Sequence, residues 1–186
     1  MIDEERRPGV GMGPHAPEEH GLGRPRGDLI QEGDFREVAG RFATGVVVVT
    51  ALDADGPVGF TAQSFTSVSL DPPLVSVCPG KGVSSWARIA PTGRFCLNVL
   101  SEDQEGLSRT FATKDAEKFD GVGYDIDLCP AGPVLEGTLA WIGCRIVTEY
   151  EAGDHVIVLG EVEDLGVGTG TRPLLFYRGG YAGLQA

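Results

Sequence analysis

The chain has 186 residues, 41% of them hydrophobic, and a formal net charge of −12 at pH 7. A chain of this length and apolar content is expected to form a single domain around one core, since domains typically have roughly 100–200 residues. The acidic balance argues against nucleic acid or an anionic membrane as a partner, because both attract basic surfaces.

Residues 1–28 differ from the rest of the chain in composition. They are rich in Gly, Pro and charged side chains and have few aliphatic ones, so they cannot bury enough apolar surface to offset the entropy lost on ordering. We therefore predict a disordered tail at 1–28 and a folded domain at 29–186. No apolar run reaches the roughly 18 residues of a membrane span, and the tail lacks the apolar region of a secretion signal, so we expect a cytoplasmic protein.

The domain is predicted to open with a short amphipathic helix that ends by Gly45, because apolar residues recur there at helical spacing: Phe35, Val38, Ala39 and Phe42. A β-branched run at 46–52, turn residues at 53–56 and a second run from 57 then predict a β-hairpin.

Further strands are expected at 74–78 and 94–100, with a short helix at 84–90 between them. Ser101 and Gln104 match a capping box, which predicts a second helix over residues 102–112. Two β-rich runs that meet at Gly153 and Asp154 predict a long antiparallel hairpin. Six or seven strands with only short helices favour an antiparallel β-barrel over a βαβ array.

Several familiar site types are disfavoured. The four cysteines lie far apart without a CxxC pair, and we interpret them as free, buried thiols, with a disulfide or metal site as the alternative: Cys78, Cys96, Cys129 and Cys144. His155 is the one histidine in the domain, which disfavours a histidine metal site or a Ser-His-Asp triad. The Gly-rich segment 166–171 lacks GxGxxG spacing and is interpreted as a surface loop.

The segment 59–75 groups neutral polar side chains beside two aromatic rings. Its polar members are Thr61, Gln63, Ser64, Ser67 and Ser69, and the rings are Phe60 and Phe65. One interpretation is a turn in which hydroxyl groups satisfy the loop backbone. The other is a binding surface for a planar, heteroatom-rich ring with a polyol tail, such as a flavin.

A series of motifs then occurs in a consistent order between residues 35 and 184: TGVVVVTA, PVGFTAQSFTSVSLDPPLVSVCP, SSWARI, GRFCLNVLSEDQEGLSRTFATKDAEKF, GDHVIVLGEVEDL and RPLLFYRGGY. Together they resemble the flavin reductase family, the small reductase components of two-component flavin monooxygenases. The resemblance implies a mainly β fold, an antiparallel split β-barrel with short flanking helices. It also implies a homodimer with flavin bound at or near the subunit interface.

The resemblance further implies the site residues. The flavin ring and ribityl chain would contact Val58, Gly59, Phe60, Thr61, Gln63, Ser64, Cys78 and Pro79. The flavin phosphate would lie near Ser84, Ser85, Thr110 and Phe111. At the serines an anion suits a helix start, although they could simply cap that helix. On sequence alone, Lys114 and Lys118 are interpreted as solvated charges.

On the nicotinamide side, the resemblance implies that His155, in the motif GDH, positions the nicotinamide. A second segment is implied there as well: Phe176, Tyr177, Arg178 and Gly179. His155 could alternatively be an exposed residue at a hairpin end.

The implied activity is that of an NAD(P)H:flavin oxidoreductase, which reduces FMN or FAD with NADH or NADPH and supplies reduced flavin to a partner monooxygenase. Hydride transfer between stacked rings requires positioning rather than a strong side-chain acid or base, which agrees with the lack of a recognisable catalytic dyad in the sequence. A non-enzymatic flavin carrier and a pyridoxamine-phosphate-oxidase-like barrel are the alternatives.

Overall fold

The structure is a computed structural model, and it describes residues 30–114 and 117–184. The tail predicted at 1–28 lies outside the described residues. The chain divides into two units, residues 1–36 and residues 37–186. None of the helices in the described part of the chain is long and apolar enough to cross a membrane.

The helices in the described ranges are α1 (Glu32–Ala39), α2 (Ser84–Ile89) and α3 (Glu105–Ala112), with 3-10 turns at Ala90–Thr92 and Glu102–Gln104. The strands are β1 (Thr44–Gly45), β2 (Val47–Asp53), β3 (Gly56–Ala62), β4 (Thr66–Leu70), β5 (Pro73–Val77), β6 (Arg94–Val99), β7 (Tyr124–Asp125), β8 (Val134–Leu135), β9 (Ala140–Ala152), β10 (His155–Val167), β11 (Leu175–Tyr177) and β12 (Gly180–Ala182).

Seven strands form one antiparallel sheet in the order β3-β2-β6-β9-β10-β5-β4. A three-stranded sheet has the order β1-β11-β12, and β7 pairs with β8. The predicted class, mainly β and antiparallel with short helices, is confirmed, and so are the hairpins β2–β3 and β9–β10. Within the described residues β3 and β4 are the two edges of the large sheet.

The first predicted helix forms but is shorter than expected. It ends at Ala39, because the backbone N–H groups of Arg41 and Phe42 bond the carbonyls three residues back, 3.1 Å from Val38 and 3.1 Å from Ala39. Phe42 therefore lies in the turn that leads to β1, with its side chain 77% exposed.

The hydroxyl-rich segment after β3 also differs from the expected turn. Residues 66–70 form the edge strand β4, which pairs with β5 from Thr66 opposite Ser76 to Leu70 opposite Pro73. Pairing with β5 supplies the backbone hydrogen bonds that hydroxyl groups would have supplied in a turn. Most of β4 is nevertheless exposed, as expected of an edge strand.

The run of four valines at 46–49, the last three of which begin β2, is buried on both faces. Val47 and Val49 belong to the main core, to which α2 contributes Trp86. The alternate residues Val46 and Val48 point into a second cluster, since successive side chains of a strand face opposite sides.

The capping box is confirmed, since the Ser101 backbone N–H donates to Gln104 Oε1 at 3.0 Å. It starts the turn that leads into α3. Both α2 and α3 pack against the edge strand β3. Gly59 permits this packing, because a Cβ there would lie 2.8 Å from the Val49 carbonyl oxygen and 2.9 Å from Cε1 of Phe111.

All four cysteines are free thiols, as predicted. Three are buried, while Cys78 is half-buried. Burial raises the pKa of Cys144 to about 12, whereas a hydrogen bond with Cys96 lowers the pKa of Cys129 to about 7.

A close contact in β10 gives a stability prediction. A Cβ at Gly160 would lie 2.7 Å from Cζ of Phe95 and 3.1 Å from Cβ of Cys144, both fully buried. We expect Gly160→Ala to lower the free energy of unfolding by roughly 1–3 kcal/mol through overpacking, measured by urea denaturation. The matched control is Gly106→Ala in α3, where a Cβ meets open space. That variant should gain about 0.5–1 kcal/mol, and equal stability of the two variants would contradict the packing argument.

Candidate functional site

Most of the predicted ring-binding residues line one cavity of about 500 Å³, which we call the main cavity. It lies where β3 and β5 end, β10 begins and the β11–β12 hairpin approaches. Its lining residues are Phe60, Thr61, Ala62, Gln63, Ser64, Cys78, Pro79, Gly80, Val83, Ala112, His155, Phe176 and Tyr181. The structure therefore brings residues predicted for the flavin ring together with two predicted for the nicotinamide.

Two hydroxyl groups of the main cavity also hold its walls together. Thr61 Oγ1 donates to the Ser108 carbonyl at 2.7 Å, which joins β3 to α3. Ser64 Oγ accepts from the Cys78 backbone N–H at 2.8 Å, which joins the end of β3 to the end of β5. Thr61 and Ser64 therefore fit both interpretations of the hydroxyl-rich segment. Their hydroxyl groups form hydrogen bonds with backbone groups, and both residues also line a cavity.

His155 is fixed at the mouth of the main cavity by the backbone on both sides of it. The Val156 N–H donates to the Pro79 carbonyl at 3.0 Å, and the Lys81 N–H donates to the Asp154 carbonyl at 2.9 Å. His155 Nδ1 lies 2.8 Å from Asp154 Oδ1. Because Nδ1 is engaged by a carboxylate, Nε2 is the ring nitrogen that is left to meet a ligand.

Tyr181 is a wall residue that the sequence reasoning missed. Its ring contacts Phe176 edge to face, with centroids 5.2 Å apart, and its hydroxyl lies 2.8 Å from Ser108 Oγ. The Arg109 guanidinium lies 4.8 Å from the ring centroid. The sequence did contain a signal for Tyr181. The residues RGG are typical of a tight turn, and a hairpin around that turn places Tyr181 opposite Phe176.

Three residues predicted for the nicotinamide side lie outside the cavities described here. Tyr177 is 43% exposed, and Arg178 and Gly179 form the hairpin turn with positive φ angles of 51° and 79°. In a strand, side chains alternate in direction, so Phe176 faces the cavity while Tyr177 turns away from it.

A second cavity of about 220 Å³, the serine cavity, continues from the main cavity and shares Phe60, Thr61, Val83 and Ala112 with it. Its other lining residues are Gly82, Ser84, Ser85, Phe111, Thr113, Lys114 and Lys118. The predicted pair of serines is therefore present in one cavity with Phe111. Val83 is the N-cap of α2 and no side chain caps the helix, so the serines do not act as caps.

Lys118 was interpreted from the sequence as a solvated charge, but its ammonium group forms hydrogen bonds within the protein. Its Nζ donates to the Gly59 carbonyl at 3.1 Å and to Ser85 Oγ at 3.3 Å, in the wall of the serine cavity. Thr110, predicted to lie near a phosphate, instead donates its hydroxyl to the Gly106 carbonyl at 3.1 Å within α3. It lies outside the described cavities, because Phe111 is the residue of that turn which faces inward.

A third cavity of about 550 Å³, the Arg88 cavity, adjoins the serine cavity at Ser84, Ser85 and Lys118. Its other lining residues are Asp55, Pro57, Val58, Gly59, Arg88, Glu117, Phe119 and Asp120. Val58 and Gly59, predicted for the flavin ring, thus lie here rather than in the main cavity. Arg88 donates two hydrogen bonds to Asp53, of 2.7 and 2.8 Å, and these bonds lower the pKa of that carboxyl group.

Comparison with known proteins gives a consistent result. Residues 39–185 match the model of the flavin reductase like domain. A flavin reductase of Pseudomonas putida is 48% identical over 153 residues, which cover 82% of this chain and 89% of the relative. The reductase subunit HsaB of a flavin-dependent monooxygenase from Mycobacterium tuberculosis is 46% identical over 156 residues, 81% of each chain.

A solved structure agrees with these sequence relatives. The NADH:FAD oxidoreductase of Streptomyces globisporus, in complex with NAD and FAD fragments, is 39% identical and superposes with a TM-score of 0.76, covering 81% of this chain and 90% of that one. With a domain match over most of its length and relatives of this identity and coverage, the chain belongs to the flavin reductase family.

Proposed function

We propose that this chain is an oxidoreductase that transfers hydride from NADH to FMN or FAD and supplies the reduced flavin to a flavin-dependent monooxygenase. The observation that carries the proposal is the main cavity, in which the predicted flavin residues lie with His155 and Phe176. Hydride transfer requires the two rings to be held in contact. The name of the mycobacterial relative, a monooxygenase reductase subunit, supports the partner.

In this proposal the flavin extends from the main cavity into the serine cavity. The isoalloxazine ring lies in the main cavity along the segment from Phe60 to Ser64, with Cys78 and Pro79 opposite. The ribityl chain passes the residues shared by both cavities. Its phosphate lies in the serine cavity with Ser84, Ser85 and Lys118, because a lysine ammonium and hydroxyl donors suit a phosphate oxygen. Lys118 replaces Thr110 as the expected phosphate contact.

The nicotinamide is proposed to enter at His155 and to stack over the flavin, with Phe176 and Tyr181 as its side wall. His155 then acts as a positioning residue through Nε2. The name of the Streptomyces relative, an NADH:FAD oxidoreductase, favours NADH as the donor. A flavin carrier would not need this second wall, so the arrangement favours the reductase over the carrier.

A homodimer is proposed from the outer face of the β9–β10 hairpin. Ile157 and Tyr150 lie opposite each other in the pairing and are 41% and 58% exposed. His155 and Leu159 share that face, since alternate residues of a strand point the same way. A second copy on this apolar face would therefore also close the mouth of the main cavity.

The enzymatic test is NADH oxidation by the purified chain with added FMN or FAD in the absence of oxygen. We expect flavin bleaching in step with loss of NADH, whereas a carrier would produce neither.

His155→Ala should raise the KM for NADH by roughly 3- to 100-fold through loss of one polar contact, with flavin affinity unchanged. His155→Gln, which keeps a polar atom, should recover part of the loss. A variant that matches the parent in KM and kcat would contradict the nicotinamide site.

A second prediction concerns the phosphate. Lys118→Gln should weaken FMN binding by roughly 10- to 150-fold, the value of a hydrogen bond to a charged group, while riboflavin binding changes far less. The matched control is Lys81→Gln, because Lys81 is ion-paired with Glu151 and lies outside the serine cavity. It should alter FMN affinity by no more than about twofold, as for ordinary surface changes. Equal weakening of both flavins by Lys118→Gln would mean that Lys118 acts only through the fold.

The third prediction concerns the assembly. We expect light scattering to give the mass of a dimer, and Ile157→Glu to give a monomer because it would bury an unpaired carboxylate at the interface. Leu52→Glu is the control, since Leu52 is 49% exposed but lies on β2, away from the hairpin face. A parent chain that is monomeric at micromolar concentration would contradict the interface.

A further inference from the structure

Two cysteines outside the proposed flavin and nicotinamide sites lie side by side against the large sheet. Gly143 on β9 pairs directly with Cys96 on β6, so their Cβ positions are on the same face, typically about 4.5–5.5 Å apart. A Cβ at Gly143 would lie only 2.5 Å from Cys129 Sγ. The sulfur of Cys129 therefore occupies the space that Gly143 leaves next to Cys96, and the two thiols share a hydrogen bond.

Cys129 lines a cavity of about 170 Å³, which we call the Cys129 cavity, and Cys96 does not. Two lining side chains, Arg94 and Glu163, are 47% and 37% exposed, so the cavity opens to solvent. A cavity needs only about 10–15 Å³ to hold one water molecule, so a solute the size of hydrogen peroxide fits here. The full lining is Arg94, Cys129, Pro130, Ala131, Gly143, Glu163 and Asp164, none of which lines the other three cavities.

The two thiols differ in their ionisation. The hydrogen bond with Cys96 lowers the pKa of Cys129 to about 7, so a large part of this thiol is thiolate near neutral pH. The pKa of Cys96 is raised, because the hydrogen bond with Cys129 and burial both disfavour its charged form. A thiolate is the form that attacks a peroxide, and redox-sensitive cysteines commonly combine a low pKa with a neighbouring thiol that completes a disulfide. Cys129 suits the first role and Cys96 the second.

We propose that Cys96 and Cys129 form a reversible oxidation site, at which hydrogen peroxide converts the two thiols into a disulfide. The Cys129 thiolate attacks one peroxide oxygen, the O–O bond breaks, and the released hydroxide takes up a proton and leaves as water. The Cys96 sulfur then attacks the sulfenic acid on Cys129, the S–O bond breaks, and the departing hydroxide takes the Cys96 proton. The two thiols thus supply two electrons that reduce one peroxide to two waters.

The source of the oxidant rests on the proposed function, whereas the oxidation site does not. Reduced flavin that meets oxygen instead of the monooxygenase passes two electrons to it and yields hydrogen peroxide, so the oxidant arises where this protein works. Disulfides in a reducing compartment are typically transient and redox-sensing, which fits a pair that a dithiol can reduce again.

Cys144 provides a matched contrast within the same sheet. It follows Gly143 on β9 and therefore points to the opposite face, where it belongs to the main core. Burial raises its pKa to about 12. Cys144 is thus a buried thiol of the same strand pair that has neither the thiolate character nor the cavity of Cys129.

The test treats the full chain, purified in the reduced form, with a small molar excess of hydrogen peroxide. Remaining thiols are then blocked and the cysteine peptides mapped by mass spectrometry. We expect loss of two of the four thiols, a linked pair of peptides containing Cys96 and Cys129, and recovery of both thiols with dithiothreitol. Cys144→Ser is the matched control and should still form the linked pair.

Two variants separate the steps. Cys129→Ser should leave Cys96 reduced, because the attacking thiolate is gone. Cys96→Ser keeps a hydroxyl that can donate to Cys129 but removes the second sulfur, so oxidation should stop at a sulfenic acid on Cys129, which dimedone traps. A linked pair that still contained the remaining member in either variant would contradict the assignment.

The parent chain alone can overturn the proposal, whatever the stability of the variants. Peroxide treatment that leaves Cys96 and Cys129 reduced would do so, and so would oxidation confined to Cys78, which lines the main cavity. Failure of the untreated parent to reduce flavin would overturn the proposed function and with it the source of the oxidant. The peptide map with added peroxide would still decide the oxidation site.

Discussion

The close approach of α3 to the sheet at Gly59 is the constraint on which the site depends. At this position the Phe111 ring and the Val49 carbonyl leave no room for a side chain. The helix can therefore lie directly on the edge strand β3, where its Ser108 carbonyl receives the Thr61 hydroxyl. The same approach leaves the Gly59 carbonyl open to Lys118. A larger residue would move the helix outward and separate the walls of the main and serine cavities.

The walls are joined by hydrogen bonds that also shape the binding surface. Ser64 ties the end of β3 to the end of β5, and Tyr181 ties the C-terminal hairpin to α3 through Ser108. Because these contacts are made within the protein, the cavity is formed before a ligand binds. A preformed site suits a reaction in which the enzyme mainly holds two rings in contact, since positioning then costs little on binding.

The positions of the charged side chains explain how a protein that is acidic overall could bind an anionic ligand. The net charge of −12 would repel a phosphate from most of the surface. Lys118 and Lys114 are concentrated in the serine cavity, where short-range charge outweighs the screened field of distant carboxylates. Beyond them, carboxylates and cations occur together in the Arg88 cavity, where Asp55, Glu117 and Asp120 line the same space as Arg88 and Lys118.

The sequence by itself determined most of the longer elements and the family. The valine run predicted β2, the capping box predicted the start of α3, and motifs in a fixed order carried the resemblance, because these signals are local and survive without tertiary contacts. It also predicted most of the main cavity, since His155 and the segment from Phe60 to Ser64 lie within recognisable motifs.

Only the tertiary structure decided which neighbours of those motifs face the site. It assigned Tyr181 rather than Tyr177 to the main cavity wall and Lys118 rather than Thr110 to the serine cavity. It also joined Arg88 to Asp53, 35 residues apart in sequence, beside a cavity that the sequence reasoning did not predict as a separate space. The physical reason is that one step along a strand reverses the direction of a side chain, and one step along a helix rotates it by about 100°. That direction is settled by packing between elements distant in sequence.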